Sequence, residues 1–291
     1  GVMAARTIAN ERRRLVAVLL TPLMTCSARL PVYTLIISAF VPESLRPWGL
    51  DGRGLVMAGM YAFGVVLALL LAMALKWTRL YEAHPMPVTV LPPYRVPRAR
   101  ELFHYVRSRV WHFLSRAGQI IFLVSILLWA LASFPRTSRP LAGLAPEAAA
   151  AAQIHDSALG MAGRAIEPVF RPLGWDWRVS VAVLSSLAAR EVFVGTLGTI
   201  YAMGKETHGA SGLMRALREA TKDDGTARYG VPTAAGLLIF FAIAMQCIST
   251  IVIVRRETGG WKWPAVQFAA FFVLAYGLAF AAVRALTVLG A

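Results

Sequence analysis

Stretches of about 20 consecutive apolar residues recur along this chain, and nothing else in it limits folding so tightly, because a helix of that length matches the hydrocarbon core of a bilayer. The runs extend from about Leu15 to Val41, Leu55 to Leu75, Gly118 to Phe134, Trp177 to Met203, Val231 to Val254 and Pro264 to Leu289. Across the 291 residues 57% are hydrophobic and 15% charged, and the mean hydropathy is +0.59. A soluble core would neither repeat runs of this length nor expose so few charges. The expectation is an all-α fold, a polytopic transmembrane helical bundle of about six spans.

Thirty Lys and Arg against fifteen Asp and Glu give a net charge of +15. In a soluble protein that excess would point to nucleic acid. Here the basic residues gather between apolar runs, as the positive-inside bias and anionic lipid headgroups require, so lipid and not nucleic acid is the expected partner. Residues 76–117 carry Lys76, Arg79, Arg95, Arg98, Arg100, Arg107, Arg109 and Arg116 against Glu82 and Glu101, which assigns them to the cytoplasm. Their second half, RELFHYVRSRVWHFLSRAG, reads as an amphipathic interfacial helix on the inner leaflet.

The whole of 1–291 thus reads as one transmembrane domain. Residues 1–75 hold the first two spans, 76–117 the basic cytoplasmic loop and 118–291 a second half. The link PESLRPWGLDGRG suggests a tight surface connection, and PEAAAAAQIHDSALGMAGRAI a short helix on the outer side. Six spans that start inside place 204–230 in the cytoplasm and RRETGGWKW outside. That disagrees with the charge of Arg255, Arg256 and Lys262, so either these residues have a specific task or one interrupted run is re-entrant. The chain starts at Gly1 with no leader, and is expected to be a fragment or one product of a split gene.

The most informative stretch is LMTCSARLP, Leu23 to Pro31. Two prolines bracket it, Pro22 and Pro31, and each removes an amide donor and frees carbonyls about a turn earlier. Broken backbone at membrane depth is tolerated only where protein or a watered cavity receives it. Freed carbonyls, Ser27 and the Cys26 sulfur form a ligand set suited to a soft transition-metal cation. The plain alternative is that Cys26 is a small buried hydrophobe. AMQCIST repeats the pattern, with Met245 and Cys247 where the first stretch has Met24 and Cys26, and Ser249 following. Such pairs suit transporters whose interrupted helices meet at the midplane.

Glu191 lies inside an apolar run, where a carboxylate is expensive and marks an ion path or a buried charge network. Neighbouring helical residues point about a third of a turn apart, so Glu191 is expected toward the cavity and Arg190 toward another helix. His84, His104, His112, His155 and His208 lack metal-site spacing and read as surface residues. Gly198 to Lys205 fails the phosphate-loop pattern, and no catalytic constellation appears.

VMAARTIANERRRL, PLMTCSARLPVYTLIISAF, LPPYRVP, AIEPVFRPLGWDWRVSVAVL, AAREVFVGTLGTIY and AMQCISTIVIVRRETGGWKWP occur in an order that resembles the C-terminal membrane half of ferrous iron transport protein B. The resemblance implies Fe2+ uptake through a pore with gate-type interrupted helices in the bacterial inner membrane. By position, Cys26 and Cys247 match the gate-motif cysteines and Glu191 the acid of the AREV segment, which makes these three the metal-contacting candidates. Met24, Ser27, Pro31, Met245, Gln246 and Ser249 would support them. Gln246 stands where many members have proline, so the second gate is not expected to kink as the first does. Fe2+ is implied as cargo, with no GTP site here. Implied partners are a GTP-binding domain or chain, small accessory proteins of the iron system and a second copy of this chain. A membrane scaffold that docks a GTP-binding chain and a gate-type carrier of an organic solute such as a nucleoside stay open beside it.

Overall fold

The computed structural model describes residues 2–8, 10–42, 49, 51–76, 98–136, 146–201, 210–221 and 225–290. Twelve α-helices are seen among them: α1 (Glu11–Leu20), α2 (Leu30–Phe40), α3 (Gly52–Lys76), α4 (Ala99–Ser133), α5 (Pro146–Asp156), α6 (Ala158–Phe170), α7 (Trp177–Ser185), α8 (Val192–Ile200), α9 (Ala210–Glu219), α10 (Val231–Ile243), α11 (Ile248–Thr258) and α12 (Lys262–Val288). Among the described residues four segments are long and apolar enough to cross a membrane: Glu11–Phe40, Gly52–Lys76, Val231–Thr258 and Lys262–Val288. All of LPPYRVP and most of the link PESLRPWGLDGRG, together with His84 and His208, lie outside the described residues.

Two of the four spans are broken at mid-depth and run antiparallel. The first is α1 and α2, interrupted at 21–29; the second is α10 and α11, interrupted at 244–247. A 3-10 turn at Val2–Thr7 ties the start of one to the end of the other. Its Arg6 grips Glu257 at the end of α11 with Nε at 2.8 and 2.9 Å, and Val2 and Ala5 pack with Val18 and Val254. At the other ends, Phe40 of α2 and Thr233 of α10 border one small void. Helix α3 begins beside the end of α2, where Arg53 donates to Ser38 O at 3.2 Å and Val41 O at 3.0 Å. Its 25 residues rise about 37 Å and carry Lys76 back to the face of Arg6.

The fourth apolar run does not cross. Asp176, which caps α7, accepts the Tyr229 hydroxyl at 2.8 Å, and Tyr201, at the end of α8, donates to Tyr229 at 3.0 Å. Both outer ends of the run therefore lie beside the start of α10. Its middle, 186–191, lies beside the far end of α10, where Leu187 O accepts the amide of Ile248 at 2.9 Å. The α7–α8 pair is a re-entrant hairpin of two nine-residue helices, each only about 13 Å long.

This corrects the expected topology. Because the hairpin returns to its own side, 210–221 lies opposite the N-terminal segment and RRETGGWKW lies on its side. One face then gathers Arg12, Arg13, Arg14, Lys76, Arg255, Arg256 and Lys262, and the positive-inside rule makes it cytoplasmic. The conflict at RRETGGWKW disappears; Arg255 also stacks over Trp261, 4.4 Å from its ring centre. The separate interfacial helix and third run also merge, into the single 35-residue α4, which packs on α11 and ends beside α5 and α6 and so carries the chain from the basic face to the opposite one, a further crossing beside the four apolar segments. Gly118 costs a helix only about 1 kcal/mol, too little to end one of that length. The alanine-rich helix instead divides at Ser157, whose hydroxyl accepts from Gly160 N and caps α6.

The core fills the half of the bundle away from the basic face. Phe240 packs edge to face there against Phe170, Trp175 and Phe272. Gly163 lets α6 lie against α7, since a Cβ at that position would collide with Val181 Cγ2. Arg218 of α9 donates to Ser38 O and Ala39 O and so covers the last carbonyls of α2.

Candidate functional site: a cavity where three helix breaks meet

The first break starts at Pro22, which has no amide proton to give. Thr21 returns its hydroxyl to Ala17 O at 2.6 Å, and Gln267 of α12 reaches across to Leu19 O at 2.6 Å. Arg29, fully buried, donates Nη1 to Leu23 O at 3.0 Å and Nη2 to Pro22 O at 2.8 Å. A planar guanidinium suits two adjacent acceptors, and it converts exposed backbone at membrane depth into a fixed bend. Pro31 occupies the first turn of α2, where a missing amide costs nothing, so it starts a helix and does not interrupt one.

The second broken span needs no proline. Arg190, 5% exposed, donates Nη1 to Phe241 O and Nη2 to Ala244 O, both at 2.9 Å. The backbone leaves the helix at Ala244 and Cys247, both with positive ψ, and restarts as α11 with Cys247 as its N-cap residue. The kink that Gln246 was expected to weaken is therefore present, held by an arginine from the hairpin tip. Arg29 and Arg190 play the same part in two different spans. Neither makes an ion pair with a carboxylate among the described residues.

These three breaks border one cavity of about 360 Å³. Met24 and Cys26 reach it from the first break, Arg190 and Glu191 from the hairpin tip, and Met245, Cys247 and Ser249 from the last. Cys26 and Glu191 are exposed within it, Cys247 is half-buried, and Met245 and Ser249 are buried. Ser27 and Pro31, both exposed, and Gln246, which is buried, do not border it. Arg190 turns to α10 and Glu191 to the cavity, although the two residues stand in a turn and not in the expected helix.

The arrangement is not a closed metal centre. Among the described residues no three His, Cys, Asp or Glu side chains come close enough to hold one ion together. Four of the carbonyls at the breaks, those of Pro22, Leu23, Phe241 and Ala244, already accept from the two guanidinium groups. What faces the cavity is a sparse set of soft and hard donors along its wall: two thiols, two thioethers, two hydroxyls and a carboxylate. His155, expected at the surface, is part of α5, 2.7 Å from Asp156 and edge-on to Trp177, far from this set in the fold.

The profile of a family described as Gate, nucleoside recognition, matches residues 114–261, about half of the chain, and that of the ferrous iron transport protein B C terminus matches 57–109. The chain belongs to the Gate family. Over nearly its full length it corresponds to the C-terminal membrane part of ferrous iron transport protein B, a multi-pass protein of the inner membrane. It is 37% identical over 281 residues to the Fe(2+) transporter FeoB of Leptospira interrogans, which covers 96% of this chain and 40% of that protein. It is 36% identical to the Fe(2+) transport protein A/Fe(2+) transporter FeoB fusion protein of Porphyromonas gingivalis, covering 90% and 33%. With the FeoB of Methanocaldococcus jannaschii it shares 33% identity, covering 96% and 38%. The chain thus spans about two fifths of the length of the curated relatives it matches. No solved structure matches it.

Within this Gate-family fold the residue that sequence reasoning passed over is Arg29. Its signal was present: an arginine in an apolar run three residues after the cysteine has no reason to be there unless it meets buried acceptors. What could not be read was which acceptors, because they come from the other side of its own break.

Proposed function

We propose that this chain forms the ion-conducting membrane part of an Fe(2+) uptake transporter, with Cys26, Cys247 and Glu191 facing the path. One observation carries this reading: three residues far apart in sequence, each at a break in a helix, border the same cavity. Thiolate and thioether favour ferrous iron over magnesium or calcium. Too few donors converge to strip the ion of all its water, which suits passage over storage, since a conducted ion must bind weakly enough to leave. The names of the matched relatives support Fe2+ as the cargo.

On this reading Fe2+ is substrate and not cofactor, and the chain is no enzyme. A GTP-binding domain or chain, accessory proteins of the iron system and further copies of the chain are its proposed partners. Fe2+ uptake by vesicles or cells that hold the complete system tests the proposal. The double variant Cys26→Ser, Cys247→Ser is expected to lose most uptake while still reaching the membrane. Unchanged uptake would remove both thiols from the mechanism.

A second reading, a carrier of an organic solute, has its own support. The cavity volume lies within the roughly 300–1,000 Å³ of small-molecule pockets, and the profile matched by 114–261 is described as nucleoside recognition. An organic carrier would ignore added Fe2+ or Zn2+, whereas an ion pathway is expected to show competition between them.

A further inference from the structure

The cavity is one-sided. Beyond the breaks, the residues that border it, Ser249, Thr250 and Ile253, lie on α11, the half-helix that runs to the basic face. In the opposite direction α2, α8 and α10 close on one another. Leu35 and Ile36 of α2 meet Phe193 and Leu197 of α8 and Ala234 and Leu237 of α10 around a void of about 10 Å³. A water molecule needs roughly 10–15 Å³ and two or more polar partners. An apolar void of this size stays dry.

The bonds around this seam are unevenly placed. The hairpin is fastened to α10 and α11 at both ends, through Asp176 and Tyr229 at its base and through Arg190 and Leu187 at its tip. Helix α2 is fastened instead to α9 by Arg218 and to α3 by Arg53. Between α2 and either α8 or α10 no side-chain hydrogen bond is made among the described residues. The seam is held by apolar contact alone, and such contact parts without orphaning any polar group.

We propose that the seam of α2 against α8 and α10 is the outer gate of the path, a hydrophobic constriction that excludes water and ions until α2 swings away from the hairpin and α10. The bend at Met24 to Cys26, spanned by Arg29, is its hinge. Ile36 and Leu197 are the residues that close it. Constrictions of this kind block ions by dewetting and open when widened or made polar. The inference rests on the reading of the chain as a conduit, and it adds where that conduit is shut and which helix moves.

Labelling of Cys26 by a membrane-impermeant maleimide tests it, in the complete transporter carrying Cys247→Ser and held in vesicles of each orientation. The parent is expected to react at least about tenfold faster from the basic face than from the opposite one. Ile36→Asn is expected to raise the rate from the opposite face by about tenfold while the rate from the basic face stays within about twofold. If Ile36→Asn does not accumulate, Ile36→Thr and Leu197→Thr test the same direction with a smaller and less polar group. Equal labelling from both faces in the parent, or no response in folded polar variants, overturns the gate. Iron uptake that ignores the cysteines, with the labelling asymmetry intact, would instead remove the thiols from the path and leave the gate standing.

Discussion

Replacing Arg190 with Met is the sharpest test of how the second break is held. Met keeps an unbranched apolar stem as far as the position of Nε but leaves Phe241 O and Ala244 O without their donors, bonded at 2.9 Å in the native protein. A buried carbonyl left unsatisfied costs about 1–3 kcal/mol, so two amount to about 2–6 kcal/mol. Two effects reduce this. The native guanidinium carries its own desolvation cost, which Met removes, and Ala244 O keeps the Gln246 amide at 3.1 Å. The lower half of the range, about 2–3 kcal/mol, is therefore expected. In a chain of this size that lowers a thermal midpoint by roughly 4–6 °C. Arg190→Lys, whose single ammonium cannot span both acceptors, should fall between. The assay is thermal unfolding of the purified protein in detergent, followed by circular dichroism with and without the substitution. An Arg190→Met protein that melts with the wild type would refute the account of the break as guanidinium-held.

Other substitutions probe separate parts of the fold. The Tyr229 phenol, pushed far up by burial and by the Asp176 carboxylate beside it, stays protonated when folded. Above about pH 10 the unfolded chain alone releases that proton, so stability should fall by up to about 1.4 kcal/mol per pH unit, and Tyr229→Phe should remove that slope from denaturation curves. Glu257 is only 6% exposed and is held by Arg6; Arg6→Ala should leave it without that partner and speed hydrogen exchange at 2–7 and 254–257. Gly64 faces Thr25 and Leu23 O at the first break, where an added Cβ would sit 3.1 and 3.3 Å from them. Gly64→Ala should be tolerated, while Gly64→Leu should reduce uptake by displacing the Cys26 segment.

The apolar runs were legible because bilayer thickness fixes their length, and so were the first break, through Pro22, and the inward placement of Cys26, Cys247 and Glu191. What escaped reading depends on contacts distant in sequence. The break after Ile243 carries no proline and is made by Arg190 more than fifty residues away. The hairpin was read as a span because two nine-residue helices and a turn carry the same apolar length as one crossing, and hydropathy has no term for direction. The basic charge of RRETGGWKW did register the error, since a lysine and two arginines against one glutamate on the outer side contradicted the positive-inside bias. Pro31 misled in the other direction: a proline stops a helix only from within, and this one sits at a beginning.

The final helix starts beside the basic face at Lys262 and extends 27 residues, with Val283 against Gly236 near the far end of the bundle. Thr7 and Val288 consequently face different compartments. A reporter joined after α12 would experience the chemistry outside the cell membrane, with its oxidants and its pH, while one joined ahead of α1 would remain with the nucleotides of the cytoplasm.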